Sequence, residues 1–335
     1  MHKQDVTIYD VAREAKVSMA TVSRVVNGNS NVREETRQRV MDVINRLHYQ
    51  PNAVAQGLAS TRTTTVGLVA PDLTNLYFAE LSKGIDDIAH LYKYNIIITS
   101  IENQLINESQ AIQSLLNKQV DGVIYMSNEL PDSTVEAFER TNTPVVLAGT
   151  VDSRQQYPSV AIDYKKADTE AFNTMLNDGK KRLALVVGNE DASINHDYRL
   201  PAYEEFVAAH QLSSHVYHER RDYSDGYNLY AQLQRDQIDG VLVTRDLIAC
   251  GIMSAALDAG QKVPGDLEII TASATQLASV VRPSLTAVKQ PLYDMGAVAM
   301  RLLTKLMNGE KIEEKQIQLP YELMKKATTA NKSAG

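Results

Sequence analysis

The 335-residue chain has a single cysteine, Cys250. An intrachain disulfide and a thiolate-cluster zinc site are therefore both excluded. No apolar run approaches the roughly 18 residues that a membrane span needs. The longest runs, such as Leu183–Val187, are the size of strands. The opening stretch, Met1–Ala12, is polar and mixed in charge, unlike a signal or transit peptide. These absences point to a soluble cytoplasmic protein with no membrane partner. The marks of catalysis are missing too: there is no Gly-rich phosphate loop, no nucleophile elbow and no metal motif. His215 and His218 are three apart in a strand-like run without a further ligand cluster, and Asp86 and Asp87 point to different faces of a helix. No enzyme, no metal and no cofactor is expected.

What is present is an ordinary globular composition, 44% apolar and 22% charged, over a length that suggests two or three domains. The net charge of −7 speaks against a nucleic-acid partner only until it is divided along the chain. Residues 1–62 hold nine Lys and Arg against six acids, about +3, which leaves −10 for the remaining 273. A basic head on an acidic body is the asymmetry expected when one end meets a polyanion.

Three short helices are predicted in that head. Thr7 caps the first, with Asp10 three positions on, and Ile8, Val11, Ala12 and Ala15 fall at helical spacing. Ser18 opens the second, with Ala20, Val22, Val25 and Val26 as candidate inner residues, and Asn27-Gly28 stops it. Asn31 caps the third, with Glu34 three residues later, and Val40, Val43, Ile44 and Leu47 make its apolar stripe. The link Ala15-Lys16-Val17 is too short for anything but a tight angle, which is the geometry of a helix-turn-helix. On the second helix Ser18, Thr21 and Ser23 offer hydroxyls, Arg24 offers a fork of donors, and Met19 and Ala20 offer apolar contact near its start. A generic three-helix bundle with a hydroxyl-rich face would read the same way from spacing alone.

Pro51-Asn52 opens the segment Ala53–Ser60. It is shorter than the roughly 12–15 residues an isolated helix needs, and Gly57 adds about 1 kcal/mol against it. It is expected to be helical only when something packs on it, with small Ala55 and Ala59 admitting a symmetry mate. Leu58 is left without a core of its own.

From residue 65 onward strand-sized apolar runs alternate with helical patterns: Val66–Val69, Ile96–Thr99, Val123–Met126, Val145–Ala148, Leu183–Val187, Val241–Thr244 and Ile269–Thr271. That alternation predicts parallel sheets with crossover helices. Val120-Asp-Gly-Val-Ile-Tyr-Met126 recurs as Ile238-Asp-Gly-Val-Leu-Val-Thr244, and the strand at Val66 is echoed at Leu183 at nearly the same offset. Two doubly wound lobes of one design follow, with a ligand or signal site expected in the cleft between them. Asp163–Asp168 and Val288–Met295 are the expected crossovers.

The head now resembles a known family. Val6-Thr-Ile-Tyr-Asp-Val-Ala-Arg-Glu-Ala, then Val17-Ser-Met-Ala-Thr-Val-Ser-Arg-Val-Val-Asn27, Thr36-Arg37, Tyr49-Gln-Pro-Asn52 and Ala53–Ser60 are similar to the head of LacI/GalR repressors. The resemblance implies that Thr7, Tyr9, Ser18, Met19, Ala20, Thr21, Ser23, Arg24, Asn27 and Asn31 face DNA. Tyr49 and Asn52 fall at backbone-contacting positions. It further implies that paired hinge helices enter the minor groove, where Leu58 wedges a central base step. The implied fold is a small all-α helix-turn-helix head on an α/β body of two doubly wound parallel-sheet lobes, like that of periplasmic sugar-binding proteins. Its implied divisions are a DNA-binding domain at 1–50, a hinge at 51–62 and a two-lobed core at 63–335. The N-lobe then spans about 63–162 and 290–318 and the C-lobe about 163–289 and 319–335. A homodimer is implied as well, since two heads must meet a two-fold operator of double-stranded DNA.

Ile85–Ile97, Lys118-Gln-Val-Asp-Gly122 and the run Arg282–Lys305 resemble the branch of that family serving carbon catabolite control in Gram-positive bacteria. Arg301 and Lys305 are four apart on a predicted helix, Ala297–Met307, so they share a face that suits a phosphate. A solvated cationic face has the same spacing. The resemblance implies a corepressor there, the phosphocarrier HPr phosphorylated on serine, with Asp294, Arg301 and Lys305 at the site and Tyr92 and Tyr293 at its rim. Docking would bias the lobes toward a closed relation in which the hinges pair.

Two departures qualify this. Sugar-sensing members carry an aspartate in a Gly-Phe-Asp turn, where this chain has Thr271-Ala-Ser-Ala-Thr275 without a carboxylate. A tight sugar effector is therefore not expected, although Arg199 falls at a position that lines the family's cleft. Tyr321-Glu322 stands where a basic residue is usual, which is expected to reshape the phosphate pocket. The alternative function is an operon-specific repressor released by a small sugar.

Overall fold

The computed structural model describes residues 6–26, 31–49, 63–101, 108–127, 130–152, 154–188, 193–218 and 222–330. The chain forms two compact units, Met1–Thr64 and Thr65–Gly335. No helix among the described residues is long and apolar enough to cross a membrane.

In the first unit α1 spans Ile8–Ala15, α2 Met19–Val26 and α3 Glu34–Leu47. The start of α1 is held by a capping exchange: the N–H and the hydroxyl of Thr7 both donate to Asp10 Oδ2, at 3.0 and 2.7 Å. Its end is a left-handed residue, Lys16 (φ 55°), after which the N–H of Val17 donates to the Ala12 carbonyl at 3.0 Å. That turn swings the chain straight into α2. The third helix begins later than expected. Its cap is Arg33, not Asn31, and the Thr36 and Arg37 N–H groups bond the Arg33 carbonyl at 3.0 and 2.9 Å. Glu34 and Glu35 then occupy the first turn, where carboxylates favour the helix dipole. Val11, Ala12, Ala15, Val22, Val25, Val40 and Val43 form the core. Ala20, expected inside, is exposed. So small a core stabilises little per residue, and losing two methyls at Val40 costs about 2 kcal/mol.

The second unit holds two six-stranded sheets among the described residues. In the first, β1 (Thr65–Ala70), β2 (Asn95–Ser100), β3 (Gly122–Tyr125), β4 (Val145–Ala148), β5 (Ser159–Ala161) and β11 (Gln316–Gln318) run in the order β11-β5-β4-β3-β1-β2, all parallel. In the second, β6 (Leu183–Val186), β7 (Val216–Tyr217), β8 (Gly240–Val243), β9 (Glu268–Thr271), β10 (Thr286–Lys289) and β12 (Glu322–Met324) run β12-β10-β9-β8-β6-β7, parallel except for β12 against β10. The sequence repeat has a structural cause. Each Asp-Gly opens a strand beside the lobe's first one: the N–H of Asp121 donates to the Thr65 carbonyl at 2.8 Å, and that of Asp239 to the Arg182 carbonyl at 3.1 Å.

The helices are α4 (Leu76–Leu91), α5 (Glu108–Leu116), α6 (Asp132–Thr141), α7 (Tyr164–Asn177), α8 (Leu200–Ala209), α9 (Tyr223–Arg235), α10 (Asp246–Asp258), α11 (Gln276–Val280) and α12 (Leu292–Met307), with a π-helical turn at Asn195–Arg199. The links between lobes are shorter than expected. Residues 164–168 already belong to α7, because Asp163 caps it by accepting the Lys166 N–H at 3.0 Å. Residues 288–289 close β10, and 292–295 open α12, which is longer than the predicted 297–307. A third passage joins β11 to β12. In each lobe a helix pair comes into backbone contact. A Cβ on Gly84 of α4 would fall 2.0 Å from the Tyr293 carbonyl oxygen of α12, and one on Gly251 of α10 would fall 2.1 Å from that of Tyr223 of α9.

Candidate DNA interface and effector surfaces

On the head, the side chains expected to face DNA sort by exposure. Tyr9 is 66% exposed, and Thr7, Ser18, Met19, Ala20, Arg24 and Asn31 are exposed as well. Thr21 and Ser23 are half-buried. Ser18 is the cap of α2: its Oγ accepts the Thr21 N–H at 3.2 Å and shares a 2.9 Å bond with the Thr21 hydroxyl. It therefore presents a fixed hydroxyl at the helix start. Tyr49 packs its ring on the head core, and burial pushes its hydroxyl pKa up. Arg46 pairs with Glu14 and ties α3 to α1. Asn27, Asn52, Ala55, Leu58 and Ala59 lie outside the described residues.

On the body, α12 turns Asp294, Arg301 and Lys305 outward, seven and four residues apart on one stripe. Tyr293, 47% exposed, borders it, and Tyr92 is exposed just past the end of α4. Two residues that sequence reasoning passed over complete this surface. The Tyr293 hydroxyl donates to Asp87 Oδ2 at 3.1 Å, and Asp87 also pairs with Lys83. Hydrogen bonds from Lys83 and Tyr293 hold the Asp87 carboxyl below the ordinary range. The four-residue spacing of Lys83 and Asp87 was the signal that could have found them. Glu322 opens β12, in register with Lys289 of β10 in the second sheet.

Arg199 is not an open donor. It is 4% exposed, and its Nη1 donates to both carboxylate oxygens of Asp168, at 2.7 and 2.8 Å. The guanidinium also lies 5.1 Å from the centre of the buried Tyr164 ring. Burial pushes the Asp168 carboxyl up, opposed by Arg199. Tyr164 Oη donates to the Gly149 carbonyl at 3.4 Å and lies 3.5 Å from Tyr77 Oη. Tyr77 donates to Gln290 Oε1 at 3.3 Å, and Gln290 Nε2 donates to the Ala272 carbonyl at 2.9 Å. This network joins the two lobes. None of Tyr77, Tyr164, Asp168 or Gln290 stood out in the sequence, because partners 15 to 213 residues apart leave no periodic trace. The Thr271–Thr275 turn obtains its carboxylate from elsewhere: Asp246 accepts the Thr275 hydroxyl and its N–H.

The lacI family of bacterial regulatory proteins matches residues 7–52, and a periplasmic binding protein-like domain matches residues 172–329. The chain is 70% identical to the HTH-type transcriptional regulator pepR1 of Lactobacillus delbrueckii subsp. lactis, over 99% of this chain and all of that protein. The chain belongs to the lacI family. It is 47% identical to catabolite control protein A of Streptococcus mutans over 97% of this chain and 98% of that protein. The structure of the regulator CcpA of Lactococcus lactis aligns with a TM-score of 0.76 at 37% identity, over 80% of this chain and all of that one. A lac repressor dimer bound to operator and an anti-inducer aligns with a TM-score of 0.86 at 26% identity, over 97% of this chain and 99% of that one. The protein is accordingly a DNA-binding transcriptional regulator and not an enzyme, close to the catabolite control branch of its family.

Proposed function

We propose that the protein regulates carbon catabolism by binding pseudo-palindromic operators as a homodimer, with seryl-phosphorylated HPr as its corepressor. The observation that carries this reading is the exposed stripe on α12. Arg301 and Lys305 stand outward together, beside Asp294 and Tyr293, whereas Arg199 is already consumed by Asp168. A phosphoserine brings about two negative charges and three acceptor oxygens, which suit an Arg fork with a Lys beside it. A sugar entering the cleft would have to displace a buried carboxylate from Arg199. The corepressor surface comprises Tyr92, Tyr293, Asp294, Arg301 and Lys305.

In this reading α2 enters the major groove with Ser18, Met19, Ala20, Thr21, Ser23 and Arg24, while Thr7, Tyr9, Asn27, Asn31, Tyr49 and Asn52 fix the head on the backbone and adjoining bases. Leu58, with Ala55 and Ala59 beside it, wedges the central step from the hinge. The second copy covers apolar side chains left exposed on the body, among them Leu76 and Ile98 on one lobe and Tyr223 and Leu247 on the other.

The test is titration of a labelled catabolite-responsive operator at fixed salt, with and without seryl-phosphorylated HPr. Salt is held because phosphate contacts make affinity steeply salt-dependent. Tighter binding with the phosphoprotein and not with unmodified HPr is expected. Release by a sugar, with no response to the phosphoprotein, would replace this reading with an operon-specific repressor.

A further inference from the structure

The ion pair of Arg199 and Asp168 lies at the seam between the lobes. Both residues come from the second lobe, Asp168 from the second turn of α7 and Arg199 from the end of the π-helical turn. Tyr164 stands one turn before Asp168 on the same face of α7. Tyr164, Ala167 and Ile194 pack into the apolar cluster of the first lobe, with Leu81, Ala148 and Val160. The guanidinium is therefore held between a carboxylate of its own lobe and an aromatic ring that packs against the other. Both charges are almost wholly out of water, at 4% exposure for Arg199 and 1% for Asp168.

The polar ties that cross the seam above this pair are stretched. Tyr164 Oη lies 3.4 Å from the Gly149 carbonyl and 3.5 Å from Tyr77 Oη, and Tyr77 reaches Gln290 Oε1 at 3.3 Å. All are long for hydroxyl hydrogen bonds. Gly149 is left-handed (φ 64°), and a Cβ on it would fall 2.6 Å from the Tyr77 hydroxyl, so the backbone stays clear for the two phenols. Ties of this length hold a seam only where nothing beneath it gains by opening. An unpaired guanidinium under Tyr164 would gain, because parting the lobes admits water to a buried charge. Asp168 removes that gain with two charge-assisted bonds at 2.7 and 2.8 Å.

We propose that Arg199 is a carboxylate-binding site occupied by the protein's own Asp168, and that this resident carboxylate keeps the lobes together with no small molecule in the cleft. A ligand carried on α7 is present at a concentration fixed by the fold, so a free molecule competes for Arg199 at a steep disadvantage. The equilibrium between joined and parted lobes is set by the chain itself and shifts only when the carboxylate is taken away. What the site accepts follows from what Asp168 presents: a planar group with one negative charge and two acceptor oxygens. Formate has that group and little else. The inference is independent of the corepressor reading, since no residue of the α12 stripe takes part.

Asp168→Ala in the full-length protein removes the carboxylate and leaves a formate-sized space. Hydrogen–deuterium exchange is followed over 74–79 and 147–151 in the first lobe and 195–201 in the second. It is run at neutral pH, where formate is ionised, with chloride at equal ionic strength as the control. Without formate, protection is expected to fall several-fold on both sides of the seam. Formate at about 10–100 mM is expected to restore it saturably and to raise Tm, while chloride does neither and the parent protein responds to neither.

Asp168→Asn covers the case in which the alanine variant does not fold. It fills the space with a neutral acceptor, and is expected to fold, to lose protection several-fold at 147–151 and to ignore formate. Absence of a formate effect on Asp168→Ala, or an equal effect on the parent, would overturn the resident ligand. So would full protection at 147–151 in Asp168→Asn. Loss confined to 195–201 would overturn it too, leaving an ion pair that braces only its own lobe.

Discussion

The two lobes share a plan and differ in what they show the outside. Each sets a pair of helices in backbone contact through glycines: Gly84 and Gly296 between α4 and α12, Gly226 and Gly251 between α9 and α10. On the first pair the outward groups are charged, with Asp87, Asp294, Arg301 and Lys305 around Tyr293. On the second, Tyr223, Tyr227 and Leu247 stand exposed among mostly uncharged polar neighbours, with Tyr227 tied to Asp258 at 2.9 Å. The crossing is fixed by sterics in both pairs, where a methyl on the central glycine would meet a carbonyl oxygen, whereas the outer faces are free to differ.

The largest effect that bears on this comparison is expected at a residue only one lobe has. Arg199→Leu leaves Asp168 buried without its partner and is expected to destabilise the second lobe by about 3–5 kcal/mol in denaturant unfolding. Replacing both residues by leucine is expected to recover most of that loss. Next come the crossings. Gly84→Ala and Gly251→Ala each force a methyl onto a carbonyl oxygen and are expected to cost about 3 kcal/mol apiece, a test of whether the two pairs are equally tight. If one is tolerated, the lobes are not equivalent in construction.

Arg301→Glu addresses the outer faces. It is expected to abolish the gain in operator affinity from seryl-phosphorylated HPr, leaving affinity without it and thermal stability near the parent values. The same reversal placed at Tyr227, as Tyr227→Glu, is expected to leave the response to HPr and to lower dimer affinity measured by sedimentation.

The smallest effect concerns the strand that occupies the same place in both sheets. Val145 opens β4, but Glu268, 0% exposed, opens β9, with Oε1 accepting the Ala330 N–H at 2.8 Å. Burial, with Asp178 and Asp239 nearby and Lys180 opposing, pushes its carboxyl up. A raised folded-state pKa means stability that is full below the ordinary glutamate pKa and lost as pH rises through the elevated one. Glu268→Gln keeps the Ala330 bond and is expected to flatten that decline, read from melting temperature against pH.

The alternating pattern carried most of the fold, because strands buried on both faces are continuous apolar runs and the Asp-Gly repeat is pinned by a backbone bond at each copy. Boundaries were harder. Arg33 caps α3 although Asn31 is the better capping residue by type, because it is the Arg33 carbonyl that receives the first helical bonds, from Thr36 and Arg37. The α12 stripe was legible because i, i+4 spacing is local. The cleft network was not, because Asp168, Tyr164 and Gln290 meet only after the sheets assemble. Arg199 was singled out, but its occupation by Asp168 could be learned only in three dimensions.

The chain passes three times between the lobes, and this dictates an order of manufacture. When residues up to Ala161 have left the ribosome, the first lobe lacks α12 and β11, which are encoded after nearly the whole second lobe. Leu81 and Ile85 of α4, buried against α12 in the finished protein, must wait uncovered through that interval. The surface with Tyr293, Asp294, Arg301 and Lys305 is among the last to take shape, so a chain cut short in translation would carry the head without the face on which the proposed corepressor docks.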